Sequence, residues 1–373
     1  MELDFTPDQE ELRAAIRGVL AKESPISVAR RVVEHGDVPE TLWRTFAELG
    51  WPGLTISEEH GGVGLGAVEA ALLAEELGRV VTPGPLLATV TQFVPVLKEC
   101  ASAEQQARWL PRVAAGECTG TLAIAEETGS FDPADTEAAF RVEGDEVVCS
   151  GTKRYVIEAD AVDEIAVVAR GPEGVGVVVV PAAATRRTPV RPLDGSRRLS
   201  HVELDGVRVA ADRLLCGSRS AGDPTRALCR AIEEATVALA LEMVGTAQSI
   251  FDVTLEYAKQ RVQFGVPIGS FQAVKHKFAD MVVALERARS TGYFAALTIA
   301  EDDPRRSVAT SVAKAAAGDC QRLLAKEGIQ LHGGIGYTWE HDMHLYVKRI
   351  KSGEPLFGTS AWHRARIAEA LGV

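Results

Sequence analysis

The run from about Arg226 to Arg261 constrains this chain most. Read at helical period, it is apolar on several faces at once, through Val237, Leu239, Leu241, Val244, Ile250 and Leu255. A helix of that kind has no face left for water, so it must lie inside a bundle or between subunits. Three more helical segments follow, at about Ser270–Glu301, Pro304–Leu331 and Asp342–Lys351. The chain beyond Asp223-Pro224 is therefore expected to form a helical bundle.

The texture before that point is different. From about Thr119 to Asp212 short β-rich runs alternate with turns: Ala138–Val142 and Glu146–Cys149 flank Glu143-Gly144-Asp145, a hairpin pattern. Ile165–Ala169 and Val175–Val180 flank Gly171-Pro172-Glu173-Gly174, and His201–Leu204 runs into Asp205-Gly206. Regular turns between short strands point to a small antiparallel sandwich or barrel. From Thr6 to about Cys118 the pattern is helical again. A helix opens at Pro7 with acidic residues in its first turn, another runs from Pro39 to Leu49, and a third from Val68 to Leu77. The expectation is an α+β multidomain chain of 373 residues: a helical N-terminal domain over 1–118, a central antiparallel β domain over 119–224 and a helical bundle over 225–373.

Composition removes several function classes. A net charge of −12 with no basic stripe argues against nucleic-acid binding. No stretch approaches the ~20 uncharged apolar residues that span a bilayer. Cysteines 100, 118, 149, 216, 229 and 320 lie far apart with no Cys-x-x-Cys pair, as suits a reduced, cytoplasmic protein. The start, Met1-Glu2-Leu3-Asp4-Phe5, is acidic and lacks the form of a signal peptide.

Some motifs lead nowhere. Gly62-Val-Gly-Leu-Gly-Ala67 loosely matches a dinucleotide fingerprint, but no strand precedes it and no βαβ unit surrounds it, so a glycine-rich lead into a helix is the better reading. His341 and His344 have a spacing that can serve a metal, yet no ligand cluster accompanies them and packing explains them. No Gly-x-Ser-x-Gly elbow offers a hydrolytic nucleophile.

Two segments are more specific. In Arg261-Val-Gln-Phe264-Gly265-Val-Pro267-Ile-Gly-Ser-Phe-Gln272 a long helix ends near Gly265 and Pro267 and another begins after Ser270. An arginine at such a corner can fork onto a phosphate, and an adjacent aromatic ring can cover a flat ligand. A plain helix–helix corner would explain the glycine and proline and leave Arg261 and Gln272 unexplained. In Gln330-Leu-His-Gly333-Gly334-Ile-Gly336-Tyr337 three glycines in four positions let the backbone approach a ligand, as a pyrophosphate requires.

Together and in this order, behind a β-rich region, these segments make the whole chain resemble the acyl-CoA dehydrogenases. That family has a helical N-terminal domain, a central β domain and a C-terminal four-helix bundle, and uses FAD to oxidise an acyl-CoA thioester to its 2,3-enoyl form. By that resemblance Arg261, Phe264, Gln272, Gln330, Gly333 and Gly334 match positions that reach across a dimer interface and grip the ADP half of the neighbour's FAD. An acyl-CoA substrate, a tetramer and an electron-transfer flavoprotein as acceptor are implied in the same way. The wording from His332 to His344 is closest to an actinobacterial branch that includes sterol side-chain enzymes.

The departures from the family follow a pattern. Its chemistry needs a base for the α-proton, and a buried carboxylate suits because burial raises its pKa. Where many members carry Tyr-Glu-Gly-Thr, this chain has Leu356-Phe357-Gly358-Thr359, and phenylalanine takes no proton. Other members carry the base on the long helix, at a position that is Ala235 here. Glu234, the one candidate left, is rotated about 100° away by a single-residue step. The family's Thr-Glu-Pro-x-x-Gly-Ser-Asp loop corresponds to Glu126–Pro133, and its Trp-Ile-Thr to Tyr155-Val156-Ile157, where Ile157 has no hydroxyl for a flavin. What the chain would lend to a neighbour's FAD is intact; what it needs for its own is not, and no catalytic base is intact. Random drift would not sort residues by the subunit they serve. The expectation is the base-lacking member of an α2β2 dehydrogenase. The alternatives are a self-sufficient homotetramer using Glu234 and a CoA-thioester or flavin binder that oxidises nothing.

Overall fold

Thr6 starts the first helix, α1 (Pro7–Glu23), through a capping box: its hydroxyl accepts the Gln9 amide at 3.2 Å and its own amide donates to the Gln9 side chain at 3.0 Å. The structure is a computed structural model and describes residues 4–36, 38–215 and 223–373; Met1, Glu2, Leu3 and Cys216 lie outside the described residues. Helices α2 (Ile26–His35), α3 (Glu40–Glu48) and α4 (Ala67–Arg79) follow, α3 and α4 within two residues of their expected bounds. Residues 61–66 lead into α4 without a strand before them, and Glu69 reaches back to cap the Gly66 amide at 2.9 Å. Next come α5 (Leu86–Ala88), a π-helical turn (Thr89–Phe93), α6 (Val94–Cys100) and α7 (Ala103–Ala114).

The strands β1 (Gly120–Ala123), β2 (Ala139–Glu143), β3 (Glu146–Ile157), β4 (Glu164–Gly171), β5 (Gly174–Pro181), β6 (Arg186–Val190) and β7 (Leu199–Ala210) form one branched sheet. Both expected hairpins are present, β2–β3 closing at Glu143↔Glu146 and β4–β5 at Gly171↔Gly174. Two features differ from the sequence reading. The sheet is mixed, because β1 runs parallel to β4 over four residue pairs and β2 touches β4 at one parallel position. Asp205-Gly206 does not end β7 either. It forms a bulge, with Leu204 opposite Gly151 and Val207 opposite Cys149, and the strand continues to Ala210.

The remaining helices are α8 (Pro224–Gln260), α9 (Gln272–Ala300), α10 (Arg306–His332), α11 (Met343–Gly353) and α12 (Ser360–Ala370), the last of which the periodicity did not reveal. α8 is surrounded by α4, α6, α9, α10 and α11. Its apolar faces are buried accordingly: Val237, Leu239, Leu241, Val244 and Ile250 are in the core and Leu255 is half-buried. Each such side chain contributes about 1.5–3 kcal/mol by leaving water. α4 approaches α8 backbone to backbone. A Cβ on Gly245 would sit 1.8 Å from Glu75 O, and one on Gly78 2.0 Å from Glu242 O. Thr246 and Ser249 hydroxyls donate to Gly78 O and Arg79 O across the same contact. Buried Arg349 and Arg197 converge on Glu242, with Asp194 completing the ion cluster, and this ties the β-rich region to α8 and α11. Among the described residues no helix is long and apolar enough to cross a membrane.

Candidate functional site

The residues singled out by the motifs fall into two groups, one outward and one inward. At the outer corner α8 stops at Gln260, short of the Gly265 that the sequence suggested. Arg261 caps it, with its amide on Tyr257 O at 2.8 Å. The chain then makes a ribbon of β8 (Val262–Gln263) and β9 (Val266–Pro267) whose turn is Phe264-Gly265, at φ +54° and +79°. Positive φ at both positions is the hairpin turn whose twist matches its strands. The Phe264 ring is thrown outward, 94% exposed, with the Phe271 ring edge-on at 6.2 Å. Arg261 and Gln272, the first residue of α9, are exposed beside it.

The glycine segment is brought to the same corner. Gln330 is exposed on the last turn of α10, and His332 beneath it is buried, with Nδ1 2.7 Å from Gly328 O. The His332 ring stacks on Tyr257 at 4.5 Å, which joins the end of α10 to the turn of α8 that carries Arg261. Burial lowers the His332 pKa, so the ring stacks as a neutral imidazole. Gly333 has φ +63°, and a Cβ on Gly333 or Gly334 would meet nothing within 4 Å. Gly336 differs: its Cβ would lie 2.9 Å from His332 Cβ, so this glycine serves internal packing. His341 accepts the Met343 amide at 3.1 Å, and His344 stacks on Trp339.

The inward group is closed on itself. Phe357 is 3% exposed at φ +54°, and its ring packs on Phe131 at 5.1 Å. Its turn is clamped from behind. Fully buried Lys314 donates to Glu354 O and Gly358 O, both at 2.8 Å, and His363 Nε2 lies 2.9 Å from Phe357 O. Burial pushes the Lys314 pKa down to about 8 and the His363 pKa down to about 4. A small cavity of about 40 Å³ remains against Phe131, Phe357, Ile232, Glu233 and Thr236. Its carboxylate, Glu233, has its pKa raised by burial and pairs with Arg306 at 2.6 Å.

The loop Glu126–Pro133 spends its polar groups internally. Glu126 accepts the amides of Glu137 and Ala138 at 2.8 and 2.9 Å and the ammonium of fully buried Lys153 at 2.5 Å. Burial would raise the Glu126 pKa, but these donors outweigh it and hold it below the usual range. The Ser130 hydroxyl donates to Asp135, and Asp132 caps the Ala134 amide. Ile157 packs in the main core, while Tyr155 is exposed at φ +54° with its ring against His201. Glu234 does not share the Phe357 cavity. It opens onto a separate one across α8, with Val237 and Ala238, and burial raises its pKa also.

Sequence comparison matches residues 6–117 to the acyl-CoA dehydrogenase N-terminal domain and residues 225–372 to the acyl-CoA dehydrogenase C-terminal domain. A full-length relative, acyl-CoA dehydrogenase IpdE2 of Mycobacterium tuberculosis, is 34% identical over 363 residues, 94% of either chain. The chain belongs to the acyl-CoA dehydrogenase family. Among solved structures, a chain of the ChsE4–ChsE5 complex from Mycobacterium tuberculosis superposes with a TM-score of 0.91 at 24% identity, over 100% of this chain and 99% of that one. A variant of the Tcur3481–Tcur3483 steroid ACAD gives a TM-score of 0.87 at 30% identity, over 98% of each chain.

For an acyl-CoA dehydrogenase chain, the site has members that the motifs did not name. Tyr257, stacked on His332, holds the corner together, Lys153 locks the Glu126 loop, and Lys314 and His363 fix the turn at Phe357. Lys153 gives no distinct signal in the sequence, since Arg154 stands beside it in the same strand; the others show only as pairings between distant segments.

Proposed function

We propose that this chain is the base-lacking subunit of a heteromeric acyl-CoA dehydrogenase and lends its outer corner to FAD held by a homologous partner. The observation that carries this reading is the packing of Phe131 on Phe357, which fills with two rings the place where a base would face its substrate. The outer corner fits the cofactor: Arg261, Phe264, Gln272 and Gln330 are exposed together, and Gly333 and Gly334 leave open the space that a Cβ would occupy. The inner region does not fit a flavin of its own, since the loop's acceptors are already satisfied and Ile157 is committed to the core. FAD in the partner's pocket supplies the hydride acceptor, and the partner supplies the base. Arg261 would meet phosphate charge with its fork, Phe264 and Gln330 would cover and bond the ADP half, and the glycines would let that half lie against the backbone.

The reaction in this reading is 2,3-dehydrogenation of an acyl-CoA thioester, with electrons passed to an electron-transfer flavoprotein. The two solved structures above are each named for two chains, which supports an α2β2 arrangement. The word steroid in the second makes steroid-derived thioesters the first class to assay.

The test is turnover of the complex with a homologous subunit that carries a Glu-Gly-Thr segment. Phe357→Leu should leave the rate within a small factor. Removing a general base costs about 10²–10⁴-fold, so a loss of that order in Glu234→Gln, with flavin still bound, would instead establish the self-sufficient homotetramer. A complex that forms and binds FAD but never turns over any acyl-CoA would favour a binding protein.

A further inference from the structure

Beneath the outer corner, the His332 ring is the meeting point of several segments. Its face stacks on Tyr257, on the last turn of α8, at 4.5 Å and 23°. Its Nδ1 lies 2.7 Å from Gly328 O within α10, and the His341 ring, from the chain beyond the glycines, meets it edge-on at 4.7 Å. The glycine turn folds back over the same residue, so that a Cβ on Gly336 would sit 2.9 Å from His332 Cβ and 3.1 Å from Ile329 O. Tyr257 O in turn accepts the Arg261 amide at 2.8 Å. One ring therefore links the backbone of Gly333-Gly334 to the turn that carries the arginine.

That ring holds its place as a neutral group. Contact with a carbonyl requires the proton on Nδ1, which leaves Nε2 bare, and Nε2 is buried with no hydrogen-bond partner among the described residues. A second proton would place a cation on a residue that is 3% exposed and give it no acceptor. The titratable groups packed on the ring are the Tyr257 phenol from α8 and the His341 imidazole, whose Nδ1 accepts the Met343 amide. Glu327, earlier on α10, is already paired with Lys277 of α9. Burial lowers the His332 pKa; Gly328 O opposes that shift and His341 adds to it.

Resting on the proposed function, we infer that His332 is a positioning residue for the partner's FAD and makes the grip of the corner pH-dependent. The neutral ring holds Arg261 and the glycine backbone in register, and its protonation lets them part. The stacked corner takes up that proton less readily than a free imidazole. Its grip is therefore complete above the ordinary histidine value of about 6.5 and drains away as the pH falls below it. No step of the dehydrogenation passes through this ring.

The test is the FAD affinity of the complex with a homologous subunit, followed by flavin fluorescence from about pH 7.5 down to about pH 4.5. The partner's pocket has a pH response of its own, so the informative quantity is the difference between complexes that differ only in this chain. His332→Phe keeps a ring to stack on Tyr257 and cannot be protonated. It should hold FAD like the parent at the upper pH, and the parent should lose about fivefold more affinity than the variant over the range. Tyr257→Leu removes the other half of the stack and should hold FAD weakly at both ends. Equal slopes in the parent and His332→Phe, a His332→Phe complex that holds FAD poorly at every pH, or a Tyr257→Leu complex with the parent's affinity would overturn the inference alone, provided that Arg261→Ala still weakens FAD. If Arg261→Ala has no effect, the cofactor reading falls and this inference with it.

Discussion

The outer corner and the inner turn of this bundle sit at opposite extremes of satisfaction. At the corner, Phe264 lies almost wholly in solvent, two glycines face open space and the Arg261 side chain makes no hydrogen bond or ion pair with another described residue. At the inner turn, two rings pack together, Glu126, Ser130 and Asp132 of the neighbouring loop bond within the chain, and a lysine and a histidine bond the backbone from behind. A lone chain gains nothing from leaving large rings and an arginine in water, and it gains several kcal/mol from filling an interior. The contrast supports the proposed reading, in which the chain is stable through its interior and its outer corner meets something that another molecule brings.

The largest effect should come from reopening the inner turn. Phe357→Ala removes a ring that is nearly fully buried and should cost about 3–5 kcal/mol, read as a lower denaturation midpoint. A loss under about 1 kcal/mol would mean that the interior is hollow there and the contrast is wrong.

Acid should act on the same turn. His363 is held at about 4 in the fold against an ordinary 6.5, so as the pH falls the unfolded chain takes up its proton first. The stabilisation is complete above about pH 6.5 and drains away towards pH 4, to a total of at most about 3 kcal/mol. Lys314 has the same sign in a higher window: its pKa is lowered to about 8, so stability should recover as the pH rises from there towards 10.5. His363→Gln should flatten the acid limb of an urea-midpoint profile and leave the alkaline limb unchanged.

The outer corner gives the smaller effect. Arg261→Ala should weaken FAD retention in the assembled enzyme by roughly tenfold or more, matching the 1.5–3 kcal/mol of about one charge-assisted contact, with melting unchanged. Unchanged retention would remove the corner from the cofactor site.

Much of this contrast was legible in the residues. The apolar faces of Arg226–Arg261 foretold a buried central helix, and glycine, proline and arginine marked each motif segment through local geometry, while only the family resemblance set the two segments side by side. The details that failed depended on partners elsewhere in the chain. Asp205-Gly206 reads as a turn until β3 pairs with both of its flanks and makes it a bulge. The parallel β1–β4 pair joins residues more than forty apart, and α12 has too weak an apolar stripe to stand out. Phe357 could be read as a missing base. That Phe131 would meet it, and that Glu234 would face away across α8, required the fold.

The central claim is tested most directly by the flavin content of the chain alone. Purified by itself and passed through gel filtration, it should retain little FAD by its visible absorbance, and it should gain flavin when assembled with a homologous subunit. Near-stoichiometric FAD on the lone chain would contradict the account.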